Sequence, residues 1–106
     1  MRFLVVTKSR EAFPPEMAPM MMQAMRAWVD EHRSAGRLEQ VWGFAGMPGG
    51  GAIVKVESLE ELDGVMAGFP FGGFSEIQVY GLVDIDGALD RFDEVMQRMM
   101  EGMGGG

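Results

Sequence analysis

Apolar and polar positions change period several times along the chain, and each change predicts an element. Phe3 to Lys8 is a Val-rich run with weak alternation, the pattern of a strand. Pro14-Pro15 opens a helix, and Ala18, Met21, Met22, Met25, Trp28, Val29 and His32 then recur at spacings that share one helical stripe. Arg33 suits the negative end of that helix, and Gly36 a left-handed stop. Leu38 to Gly46 and Ala52 to Glu57 read as two strands joined through the turn Met47-Pro48-Gly49-Gly50-Gly51, so they form a hairpin. Ser58-Leu59-Glu60-Glu61 is a capping box, and Leu59, Leu62, Met66 and Phe69 mark one face of the short helix behind it. Phe69 to Gly73 breaks that helix, and Phe74 to Leu82 is a fourth strand. Past a turn at residues 84–87, with Asp86 as cap, Leu89, Phe92, Met96, Met99 and Met103 form a narrow seam on a last helix.

The order β-α-β-β-α-β plus a C-terminal helix is the α+β, ferredoxin-like split βαβ plan. It is a four-stranded antiparallel sheet with two helices on one face. Residues 1–84 form this domain, and 85–106 a helical extension whose glycine tail frays. A sheet covered on one side should be polar on the other. Here both sides are apolar. Leu38, Trp42 and Phe44 alternate with Val41, Gly43 and Ala45; Phe74, Tyr80 and Leu82 alternate with Ile77, Val79 and Gly81. Leaving about six large side chains in water forgoes on the order of 10 kcal/mol. A second copy of the sheet is the simplest cover, which predicts a homodimer.

Composition narrows the chemistry. The 106 residues fit one domain. The formal charge of −7 disfavours nucleic acid and anionic membrane as partners, and no apolar run spans a bilayer. The absence of cysteine removes disulfides and thiolate metal sites, and fits a cytoplasmic setting. Residues 1–42 carry a net +1 and residues 43–106 a net −8, so a small anion finds its better host in the first half. Nine of the twelve methionines cluster on the first and last helices. Thioethers suit Cu(I). With one histidine and no cysteine, adaptable packing is the better reading, and no metal site is expected.

The opening Met-Arg-Phe-Leu-Val-Val-Thr-Lys, the strand Leu38 to Gly46, the stretch Val54 to Leu62, and Phe69-Pro70-Phe71 leading into Ile77 to Leu82 resemble muconolactone isomerase-like proteins of the dimeric α+β barrel superfamily. The likeness spans residues 1–84. It implies a barrel-forming homodimer or higher homo-oligomer. It also implies a cofactor-free double-bond shift in a small unsaturated lactone. Two runs depart from the family pattern. Val41-Trp42-Gly43 stands where Leu-Trp-Arg is expected, which removes an arginine suited to a lactone carboxylate. Phe69-Pro70-Phe71-Gly72-Gly73 stands where Leu-Pro-Leu-Phe-Pro is expected.

A 1,3-proton shift needs a base that reaches both carbons and a donor that steadies an enolate oxygen. Glu76, Gln78 and Tyr80 alternate along strand four and share a face, which offers Glu76 as base and Tyr80 as oxyanion donor. His32, the only histidine, follows Trp28 on the helical stripe and is an accessory acid/base candidate. The plainer alternative is a packed histidine at a helix end. Trp28, Trp42, Phe44, Gln40 and Gln78 are candidates for binding the substrate, and Arg33 and Arg37 for anchoring an anion. The competing classes are a non-catalytic binding or assembly module and a cofactor-independent oxygenase of the same superfamily.

Overall fold

Phe3, Val5 and Thr7 point to one side of the first strand, and that side is where the helices lie. The computed structural model describes residues 1–104, so the rest of the glycine tail lies outside the described residues. The elements are β1 (Arg2–Ser9), a 3-10 turn (Pro15–Met17), α1 (Ala18–Ser34), β2 (Leu38–Gly43), β3 (Gly49–Lys55), α2 (Leu59–Ala67), a second 3-10 turn (Gly72–Phe74), β4 (Ser75–Leu82) and α3 (Ile85–Gly104). The strands form one antiparallel sheet in the order β2-β3-β1-β4. This is the split βαβ plan that the pattern predicts.

The core lies between the sheet and the first two helices. Register sets Phe3 opposite Val54 and Val5 opposite Ala52, and these four, with Leu38, Leu62 and Val65, are buried together. Val54 is only 1% exposed. Each such aliphatic side chain stabilises the fold by about 1.5–3 kcal/mol. Trp28 ties the two helices together, donating from Nε1 to the Val65 carbonyl at 3.2 Å.

Local signals account for the ends. Ser58 Oγ accepts from the Glu61 N–H at 3.1 Å, and the Glu61 carboxylate reaches back to the Glu57 N–H at 2.9 Å. Gly36 sits at φ 78°, the left-handed stop expected after α1. Three readings change. β3 begins at Gly49, so the glycine run belongs to the strand rather than the turn. A bulge between Leu38 and Gln40 puts Leu38 and Val41 on the helix side and moves Gln40 and Trp42 to the other. The cap of α3 is Asp84, whose Oδ2 accepts from the Gly87 N–H at 3.3 Å, not Asp86.

Among the described residues no helix lies over the second face of the sheet. Leu4, Val6 and Ile53 are half-buried there, while Trp42, Tyr80 and Leu82 are exposed. α3 also stands apart: every residue from Leu89 to Met103 is exposed. The radius of gyration is 19.2 Å, against about 13 Å for a compact chain of this length, and the long dimension is 70 Å.

Candidate active site

Small residues create the cavity. On the helix-facing side, β3 presents Gly50 and Ala52, and β2 presents Gly43. With no bulk at these positions the sheet cannot fill the space beneath α1. The result is a cavity of about 680 Å³, in the size range of small-molecule sites. Its roof is α1, through Met22, Met25, Trp28 and Val29. Phe13, Phe69, Phe71 and Phe74 close one end. These rings brace each other: Phe13 stacks on Phe71 with centroids 5.7 Å apart and meets Phe74 edge-on at 5.7 Å. Gly49 is required where β3 crosses β1, because it sits at φ 148° and a Cβ there would run into the Thr7 carbonyl.

Two charged side chains line this apolar space, Glu11 and Arg33. Glu11 belongs to the loop after β1, which is pinned by hydrogen bonds from the Arg10 and Glu11 N–H groups to the Phe74 carbonyl. Ser9 and Ser75 face each other across β1 and β4; the Ser9 hydroxyl donates to the Glu11 carbonyl at 3.4 Å and the Thr7 hydroxyl to the Gly50 carbonyl at 3.4 Å. Arg33 comes from the last turn of α1. Met22 and Arg33 are eleven residues apart on the helix, so the roof spans about 16 Å.

The predicted site residues divide between the two faces. Trp28 lines the cavity. Trp42 borders it at β2, with its indole laid over Gly51. Glu76, Gln78 and Tyr80 share a face, as the alternation requires, but it is the face away from the helices. Register pairs them with Lys8, Val6 and Leu4, not with the side of Thr7 and Val5. Tyr80 spends its hydroxyl proton on Gln78 Oε1 at 3.2 Å. Gln40 lies on that same outer face, and Phe44 falls beyond the end of β2. Glu76 and Tyr80 therefore do not converge on the cavity within one chain.

His32 is buried but stands outside the cavity lining. Its Nδ1 accepts from Arg37 Nε at 2.8 Å, and its ring meets Trp28 edge-on at 5.0 Å. Burial first, and then the Arg37 charge, hold its pKa below the ordinary value. An imidazole that accepts from a guanidinium is the neutral tautomer, so His32 fits the packed reading rather than the acid/base one. Arg37 is thereby engaged with His32. The Glu11 signal was weak in the sequence, since a lone carboxylate in a loop has no periodicity. Among the described residues no group of three or more His, Asp or Glu side chains is placed to hold a metal ion, and no helix is long and apolar enough to cross a membrane.

Known proteins share this architecture. A crystal structure of muconolactone isomerase superimposes with a TM-score of 0.73 at 21% identity, covering 79% of this chain and 90% of that one. The 5-chloro-2-hydroxyhydroquinone dehydrochlorinase of Burkholderia phenoliruptrix, in complex with 2,5-dihydroxybenzoquinone, superimposes with a TM-score of 0.59 at 18% identity, covering 78% and 94%. None of the curated proteins compared matches the sequence. The sequence profile of one family, described as muconolactone delta-isomerase, matches residues 1–85, four-fifths of the chain. On that match, and with the fold it requires in place, the chain belongs to the muconolactone delta-isomerase family.

Proposed function

We propose that the chain is a cofactor-free isomerase that shifts a double bond in a small unsaturated lactone bearing a carboxylate, and that the reaction runs in the cavity beneath α1. The observation that carries this reading is one carboxylate and one guanidinium lining a largely apolar space of about 680 Å³. Arg33 anchors the substrate carboxylate. It borders the same cavity as Gly43, the position where the family resemblance implies an arginine, so α1 supplies the cation that β2 lacks. Glu11 acts as the base, taking the proton from the ring carbon that bears the lactone oxygen and returning it two carbons away, to the carbon next to the carbonyl. The Ser75 hydroxyl, which borders the same cavity, steadies the oxygen that gains charge. The aromatic end and Trp28 exclude water and hold the ring.

The outer face supports a different proposal. Leu4, Val6, Ile53, Trp42, Tyr80 and Leu82 cover a second copy of the same face in a homodimer, and Glu76, Gln78 and Gln40 then lie between the subunits. A second reading of the cavity, a site for a planar hydroxylated ring, draws on its phenylalanine-rich end.

The test is turnover of muconolactone in D2O, followed by the position of the double bond and by deuterium uptake. Arg33→Met should raise KM by about 10- to 100-fold, the loss of a charged hydrogen-bonded partner, with kcat less affected. An unchanged KM removes Arg33 as the anchor. Retention of the transferred proton in D2O marks direct carriage by one base and deuterium uptake marks exchange at that base, whereas no shift of the double bond removes the isomerase reading.

A further inference from the structure

The family match ends at residue 85, where α3 begins, so this helix is an addition to the shared fold. Its apolar positions are Ile85, Leu89, Phe92, Met96, Met99 and Met103. The spacings run four, three, four, three, four, which is the a/d repeat of a coiled coil carried through the whole helix. Taking Leu89, Met96 and Met103 as a, the d positions are Ile85, Phe92 and Met99. None of these six is covered by the chain's own sheet or helices; they are 41–83% exposed. Val95 and Met100 flank the seam and are also exposed. At about 150–250 Å² for a large side chain, the helix leaves on the order of 1,000 Å² of apolar surface in water. That exceeds the largest patch of a typical monomer, about 300–600 Å².

The seam is narrow and self-complementary, which favours a helix over a flat surface as its partner. Charge on its flanks selects the direction. Parallel pairing sets Val95 against Met100 and Ala88 against Asp93 of the other copy. Antiparallel pairing brings Asp93 against its own equivalent, and like charges oppose that arrangement.

We propose that α3 pairs along this seam, in parallel, with α3 of a second copy of the chain, as an assembly device added to the isomerase body. Two seams closed on each other remove on the order of 1,000 Å² from water, the lower limit for a specific interface. The contact is separate from the outer sheet face, and it does not depend on the reaction proposed above.

The chain has no cysteine, so single cysteines report proximity cleanly. In the full-length protein, Met96→Cys at an a position should form an interchain disulfide on mild oxidation, in at least tenfold higher yield than Gln97→Cys on the outer surface. In sedimentation velocity, the double variant Leu89→Glu, Met96→Glu should have half the mass of the unmodified chain or less, with unfolding of the body unchanged. Equal masses without cross-linking at Met96 overturn the proposal. So does equal cross-linking at both positions. A loss of mass without cross-linking at Met96 also overturns it, and assigns the seam to the body of the partner instead. Absence of isomerase turnover in every form would refute the reaction while leaving these outcomes decisive.

Discussion

The two faces of the sheet carry similar apolar content and do different work. The covered face combines large residues at one end, Phe3 and Val54, with Gly43, Gly50 and Ala52 at the other. It is thus part core and part cavity. The outer face is more continuous, with the Trp42 indole filling the space over Gly51. The difference shows that a hollow arises from missing side chains on a packed face. Polar residues on the outer face, such as Glu76 and Tyr80, are equally visible in the sequence but are not enclosed by the helices of their own chain.

The sharpest break between the faces is stability. Phe3→Ala should cost about 3–5 kcal/mol in chemical unfolding, at every protein concentration, because it empties the core. Tyr80→Ala on the outer face should instead show a loss that depends on protein concentration, since it weakens association. A concentration-independent loss at Tyr80 would place it in the fold of the single chain. A smaller effect comes from the cap that positions α2 against the covered face: Ser58→Ala should cost about 0.5–2 kcal/mol in thermal or denaturant unfolding.

The smallest effect is the pH response of His32, at the edge of the covered face. Its folded pKa lies below its ordinary value near 6.5, chiefly through burial. The unfolded chain therefore binds the proton more readily. The stabilisation is full above about pH 6.5 and is lost as pH falls through the lowered folded value. Unfolding midpoints should drop over that acidic window, and His32→Gln should flatten the drop while keeping an acceptor for Arg37. The outer-face pair Arg2–Glu39, at 2.9 Å, raises the Arg2 pKa and lowers that of Glu39, but it is exposed and should leave no comparable signature near neutrality.

Much of this architecture was legible in the sequence. The capping box at Ser58, the stop at Gly36 and the stripe from Ala18 to His32 are local patterns, and local geometry enforces them. Two-residue alternation also grouped Glu76, Gln78 and Tyr80 correctly. It gave no means of deciding which side the helices cover, because that depends on pairing with β1. Alternation failed outright on β2, where one extra residue between Leu38 and Gln40 reverses the sides. The glycines of β3 looked like a turn because glycine is scarce in strands; their purpose is visible only with Thr7 and α1 in place. Glu11 had no pattern to announce it. The seam of α3 was legible as wanting cover, but the sequence did not say whether its own body supplied it.

The most direct measurement compares two carboxylates on opposite faces. In one assay of muconolactone turnover, Glu11→Gln should lower kcat by at least about 100-fold, the contribution of a positioned base. Glu76→Gln should leave kcat within about threefold. The reverse result, with Glu76 essential and Glu11 dispensable, would move the chemistry to the outer face and contradict the account.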